Sequence, residues 1–332
     1  LSKVRREHGA GGELMESLIK EELLPNLTMR GEGSVTLDDL DDGATFPSVD
    51  GEMVMTTDAH IVDPPFFPGG DVGKLAAAGT ANDLAVMGAK PVAFACSIVV
   101  REGFPIDDLK LVYRSIDEVL SELDAHLITG DTKVGNTGGV DIVVTMTGVG
   151  EIVELVRDRG LRPGDKIIVT GTVGDHGMAI LAAQQGLETD LESDVAPVWE
   201  AVNAALEVGG VTSMKDPTRG GLAGALNEMA EKSGVRIVIE EERIPIREEV
   251  RVLSEMLGVN PLEVANEGKV VMGVRPDTVD DVLDAIRSTE VGKNAEVIGI
   301  VEEGTPRVEM ETEVGGRRIV EKPVGDPVPR VC

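Results

Sequence analysis

The first strong pattern in the chain is the alternation of apolar and polar residues across "GEMVMTTDAHIV" at residues 51–62, which predicts a strand ending near Asp58. "DVGKLAAAGTANDLAVMGA" (Asp71 to Ala89) is apolar at nearly every position and rich in Ala and Leu. An Asp at its start can cap the free N–H groups of a helix, and Gly88 can close that helix. "PVAFACSIVV" reads as a strand, and "IDDLKLVYRSIDEVLSEL" carries apolar residues at helical spacing. "AHLITGDTKV" and "VDIVVTMTGVGEI" are two further strands around a glycine-rich turn. This order describes an α+β domain with both helices on one face of a sheet, whose other face needs a cover.

The pattern restarts at "RDRGLRPGDKIIVTG", where a Pro-Gly turn precedes a fresh strand, so a domain boundary is expected between residues 151 and 163. The second half predicts helices near 174–186, 195–207 and 220–233 and strands at "VRIVIE", "GKVVMGV" and "AEVIGIV", a second α/β layered domain. From Glu321 the periodicity stops, and "EKPVGDPVPRVC" holds three prolines and a glycine. An extended tail of this kind spans roughly 30 Å at about 3 Å per residue. The division is a glycine-rich segment at 1–40, a first domain at 41–155, a second at 156–320 and a flexible tail at 321–332.

Charge narrows the possible partners. The formal net charge is −29 and the isoelectric point about 4.4. Such a chain repels phosphate backbones and anionic lipid, so neither nucleic acid nor a membrane is an expected partner. An anionic ligand would need a local device: metal ions, helix N-termini or a few placed cations. No apolar run approaches the roughly 20 residues of a membrane helix, and "LSKVRREHGAGG" lacks the apolar core of a secretory signal. A cytoplasmic location is expected. The two cysteines, Cys96 and Cys332, cannot build a disulfide framework or a thiolate zinc site. Cys96 reads as a buried small hydrophobe; the position of Cys332, last in the sequence, calls for a different account.

Carboxylates recur at the ends of apolar elements or inside one: Asp41 and Asp42 in "DDGA", Asp58 beside His60 in "TTDAH", Asp83 after Asn82 in "TANDLA", and Asp131 near Lys133 in "TGDTK". Each alone is accounted for by a turn or helix cap. Together, hard oxygen donors with few histidines point to magnesium, which prefers carboxylates plus substrate phosphates. In "KDPTRGGLAGALNE", Asp216, Thr218, Arg219 and Gly220 mark a helix start suited to phosphate, although it is not a Walker A sequence. Glu267 in "ANEG" lies at a strand mouth and is a candidate general base, with His60 second.

"VRREHGAGG", "TTDAHIVDPPFFPGGDVGKLAAAGTANDLAVMGAKP", "TGDTKV", "KDPTRGGLAGALNE", "ANEG" and the final "PRVC" together resemble the HypE family of hydrogenase-maturation proteins, within the PurM-like ATP-binding superfamily. The resemblance runs from about residue 5 to the end. It implies a ferredoxin-like first domain that forms a homodimer sheet to sheet, a second α/β domain, and ATP with Mg2+ in the cleft between them. Asp42, Asp58, Asp83 and Asp131 would be metal and phosphate ligands. Lys133, Asp216, Thr218, Arg219 and Gly220 would bind the nucleotide, and Gly11 and Gly12 would fold over it. Family members act on their own last cysteine, here Cys332: the carbamoyltransferase HypF loads it, ATP drives loss of water to a thiocyanate, and cyanide passes through HypC and HypD to the iron of a nickel–iron hydrogenase. The alternatives are a superfamily enzyme acting on a free small molecule, of thiamine-phosphate kinase or selenophosphate synthetase type, and a non-enzymatic scaffold whose tail docks. The absence of a Cys from the glycine-rich N-terminus counts against the selenophosphate type.

Overall fold

The computed structural model describes residues 3–5, 17–30, 38, 52–323, 328 and 331. Gly11, Gly12, Asp42 and Cys332 lie outside the described residues.

The first domain follows β1 (Met53–His60), a short hairpin β2 (Phe66–Phe67) and β3 (Gly70–Asp71), α1 (Val72–Val86), β4 (Ala89–Arg101), α2 (Ile106–Leu123), β5 (His126–Gly135) and β6 (Ile142–Ile152). Its sheet order is β1-β6-β4-β5, with β4 and β5 parallel and the other pairs antiparallel. β6 is inserted between β1 and β4, which makes the split β-α-β arrangement of a ferredoxin-like layer. β1 runs two residues beyond the expected Asp58, because His60 still pairs with Val144 of β6.

α1 forms as its sequence dictates. Asp71 Oδ1 accepts from Gly73 N (2.7 Å) and Lys74 N (3.1 Å), its Oδ2 accepts from the Ser115 hydroxyl on α2, and Gly88 turns the chain at φ +74°. Thirteen of its 15 residues are buried, because the helix lies between the sheet and the second domain and so has no wet face. The opposite face of the sheet stays open. Met55 is 70% exposed, Thr57 is exposed, and Val143, Thr145, Thr147 and Val149 of β6 are half-buried.

The second domain contains β7 (Lys166–Val169), α3 (Asp175–Gln185), α4 (Trp199–Val208), β8 (Val211–Lys215), α5 (Gly221–Ser233), β9 (Arg236–Glu240), α6 (Glu248–Leu257), β10 (Val271–Val274), α7 (Val279–Arg287), β11 (Glu296–Glu302), β12 (Arg307–Glu311) and β13 (Arg317–Val320). Its sheet runs β13-β12-β9-β11-β7-β10-β8, and only the β9–β12 pair is parallel. Leu222, Leu226 and Met229 of α5 pack into the core on one face; Val202 of α4 and Val282 and Ile286 of α7 pack on the other. α4 starts at Trp199 rather than 195 because the preceding residues are engaged in binding the first domain. α6, α7, β8, β12 and β13 were not anticipated.

The segment after β13 is held at several points. Asn227 Nδ2 donates to Val320 O (3.0 Å), and Glu228 takes Lys322 Nζ on Oε1 (3.1 Å) and Lys215 Nζ on Oε2 (3.2 Å). Further on, Val328 and Val331 are 0% and 1% exposed, within the core cluster that contains Phe67 and α3. Burying a valine is worth about 1.5–3 kcal/mol, enough to seat a stretch that has no periodicity of its own.

Candidate functional site

Three second-domain segments, 193–198, 215–221 and 261–269, converge on α1 and the end of β1. Asn82 draws two of them together: its Nδ2 donates to Ala196 O and Glu267 O (both 3.1 Å), and its Oδ1 accepts from Val198 N (2.9 Å). The polar break in the apolar helix is therefore a bolt between the domains. Asn266 links the other segments, accepting from Gly174 N (2.7 Å) and donating to Pro217 O (3.1 Å) and Val264 O (3.2 Å). Asp194 completes the frame, with Oδ1 accepting from Glu267 N (3.1 Å) and Oδ2 paired to Lys269 Nζ (3.1 Å).

The backbone of Glu267 is thus pinned from both sides while its side chain is left for chemistry. A Cβ placed on Gly79 of α1 would stand 2.8 Å from His60 Nε2 and 3.6 Å from Glu267 Oε2, so this glycine admits both groups to the same spot. Glu267 is 2% exposed, and its Oε1 has no hydrogen-bond partner among the described residues. Burial raises its pKa well above the usual carboxylate range, and Asp216, Asp194, Asp58 and Asp83 push it further. Asp83 is pushed up to about 7 by burial and then by Asp216, against a hydrogen bond from Thr56 Oγ1 (2.9 Å). Asp216 is raised by burial, with Lys215 opposing. Burial lowers the pKa of His60 although Asp58 lies 3.4 Å from its Nε2, so the ring favours its neutral form.

The structure therefore brings together Asp58, His60, Asp83, Asp216 and Glu267. It does not bring Asp131 and Lys133 to them. Those two pair with each other (2.7 Å) on β5, three strand spacings from β1, about 14 Å across the sheet. Within a single chain, the sheet order separates Asp131 from the other expected ligands among the described residues. Among the described residues no three His, Cys, Asp or Glu side chains converge closely enough to hold a metal ion alone. A crowd of carboxylates that raise one another's pKa fits a cation that keeps water and phosphate oxygens among its ligands, as magnesium does.

The "DPTRGG" segment ends in α5. Gly220 and Gly221 have φ +77° and +59°, Thr218 O accepts from Gly221 N (2.8 Å), and no side chain caps the helix. A Cβ on Gly221 would lie 2.4 Å from Val264 O, so the helix start is pressed against the segment that carries Glu267. Arg219 is exposed. A cleft of about 430 Å3 opens between the domains beside this point, lined in part by Thr56, Asp83, Arg157, Arg159, Lys215 and Asp216. Its three cations were missed from the sequence; the "VRDRG" stretch at the domain junction was the available signal for Arg157 and Arg159, and "KDPTRGG" for Lys215. His176, whose Nε2 lies 2.8 Å from the carbonyl oxygen of Val331, has no local signal in the sequence.

Residues 40–152 match the family model described as AIR synthase related protein, N-terminal domain, and residues 162–311 match its C-terminal domain. The chain is 43% identical to the carbamoyl dehydratase HypE of Cupriavidus necator, over 98% of this chain and 93% of that one. The chain belongs to the HypE family. A crystal structure of a HypE in complex with ATP superposes with a TM-score of 0.93 at 36% identity, over 99% of this chain and 100% of that one. A HypE from a HypE–HypF complex gives a TM-score of 0.79 at 38% identity, over 94% and 100%. The two-domain PurM-like architecture read from the sequence is the one observed for these HypE proteins. Among the described residues no helix is long and apolar enough to cross a membrane.

Proposed function

We propose that the protein is an ATP-dependent carbamoyl dehydratase acting on a carbamoyl group carried by its own Cys332, and that the thiocyanate it forms supplies cyanide to the iron of a nickel–iron hydrogenase. The observation that carries the reading is the seat of Val331. The residue before Cys332 is buried and bound to His176 on the same inner surface where Asp194 pins Glu267. ATP use is supported by the HypE structure in complex with ATP, and HypF as a partner by the HypE–HypF complex.

The reaction converts S–C(=O)–NH2 and ATP into S–C≡N, ADP and phosphate. The amide oxygen is a poor leaving group, so it is first phosphorylated; two N–H protons must leave, one as the imidate forms and one as phosphate departs. Glu267 is suited to take them, because its raised pKa makes it a stronger base than a solvated carboxylate. His60, neutral and beside Glu267, is the second acceptor. The uncapped start of α5, Arg219 and Lys215 are placed for phosphate oxygens. Asp58, Asp83 and Asp216 would hold magnesium together with the nucleotide, and magnesium when bound offsets phosphate charge that this acidic chain repels. The open sheet face fits a second copy of the chain, and a homodimer formed there would carry Asp131 and Lys133 in or beside the interface. HypC and HypD are the expected acceptors, in the cytoplasm.

The test is the intact mass of protein carbamoylated by HypF, followed through addition of magnesium and ATP, with the label mapped to the last peptide. ATP-dependent loss of one water at Cys332 is the expected result. An unmodified Cys332, alongside turnover of a free substrate, moves the protein to the thiamine-phosphate or selenophosphate type of activity.

A further inference from the structure

His176 is the second residue of α3 and is fully buried. A backbone carbonyl only accepts, so the 2.8 Å contact with Val331 O places the ring proton on Nε2. Nδ1 is then an acceptor, and the Ser193 hydroxyl 2.7 Å away donates to it while Ser193 Oγ accepts from Val195 N (3.1 Å). One tautomer is therefore fixed by a relay that starts at a backbone amide and ends at the carbonyl preceding Cys332. The ring packs T-shaped against Phe67 of the β2–β3 hairpin, with centroids 5.6 Å apart and planes at 85°, and Ser193 N donates to Pro68 O of the same hairpin (2.9 Å). Burial lowers the pKa of the ring, which keeps it neutral.

We infer that His176, set by Ser193 and Phe67, is the positioning residue that latches the tail through the Val331 carbonyl, and that this latch governs the access of Cys332, the next residue in the chain. All partners of the latch are uncharged, and its contact is to backbone, so it reads where the tail lies rather than what Cys332 carries. A seat of this kind accepts the tail in the same way with a free thiol, a carbamoyl group or its dehydrated product. The purpose given to the latch rests on the reading of Cys332 above, but the latch itself can be measured without that chemistry.

The chain has two cysteines, and Cys96 is buried with its thiol pushed up to about 12, so alkylation reports Cys332. N-ethylmaleimide labelling followed by intact mass, without nucleotide or carbamoyl donor, compares the full chain with the free peptide "EKPVGDPVPRVC". Wild-type Cys332 should react about tenfold slower than the peptide, the effect of a buried carbonyl that keeps its donor, and His176→Phe should remove most of that protection. His176→Gln retains an N–H donor and should restore slow labelling. Ser193→Ala, which leaves the ring in place, should speed labelling by about threefold, on the order of one weakened hydrogen bond. Wild-type labelling at the peptide rate, a folded His176→Phe that labels like wild type, or no rescue by Gln would each overturn the latch. Should His176→Phe not fold, an unchanged rate in Ser193→Ala overturns it. In the carbamoyl assay the same His176→Phe should lower the single-turnover rate while leaving the KM for ATP unchanged. Faster labelling in a protein that never dehydrates Cys332 would sink the proposed function and keep the latch.

Discussion

Replacing Glu267 by Gln preserves its shape but removes the base, so the dehydration step should slow by about 10²- to 10⁴-fold in single-turnover assays. Thermal stability should hold or rise, because the substitution relieves the crowding by Asp216, Asp194, Asp58 and Asp83. Gly79→Ala separates propensity from function in another way. Alanine favours the helix by about 0.5–1 kcal/mol, yet its Cβ would stand 2.8 Å from His60 Nε2. Circular dichroism should show an intact helix while activity falls at least tenfold, about 1.4 kcal/mol in the barrier, from a displaced His60 and Glu267. At this scale the sequence marked Asp83 by its place inside an apolar helix, His60 by its neighbour Asp58 and Glu267 by its place at a strand mouth, and the fold brings the three together. The sequence was not readable at His176, whose partners stand 17 and 155 residues away. Asn82 entered only as the neighbour of Asp83 among candidate metal ligands, and in the fold its side chain joins the domains instead.

Helix α1 is the element on which the site depends, because one of its faces carries Gly79 and Asn82 to the second domain and the other meets the sheet. Asn82→Ala would leave the Ala196 carbonyl and the Val198 N–H unpaired and the Glu267 carbonyl with the Ala196 N–H alone, a loss of about 3 kcal/mol given 1–3 kcal/mol per group and partial relaxation. Urea unfolding should show the midpoint falling with little change in slope. α1 and α2 were legible because their own residues decide them: Asp71 caps the one, and apolar spacing marks the other. α6 and α7 carry helical spacing too, but they are ten- and nine-residue elements whose charged faces resemble loops in a chain this acidic. The β2–β3 hairpin, the edge strand β13 and its neighbour β12 depend on what they pack against, which no local window contains.

The whole molecule carries its acidity into its own cleft, and this sets a pH dependence. Asp83 rises from 3.8 to about 7 on folding, and Glu267 rises as well, so across this window the folded state holds protons that the unfolded state has released. Stability is therefore full below about pH 4 as far as these groups are concerned, and declines as pH climbs toward 7. Scanning calorimetry in chelator should show Tm falling between about pH 5 and pH 7.5, and Asp83→Asn should flatten that slope. Magnesium with ATP should raise Tm more at the higher pH, where the carboxylates are free of protons to compete. The tail, finally, is fixed at Lys322 by Glu228, at Val328 by burial in the core and at Val331 by His176, so any residues inserted between Lys322 and Val328 form a loop between two fastened points. Closing such a loop costs entropy that grows with the logarithm of its length, about 0.6 kcal/mol per doubling. Doubling the span with glycine and serine should loosen the far fastening only about threefold, so the protein tolerates drift in tail length far better than the loss of a single hydrogen bond at its end.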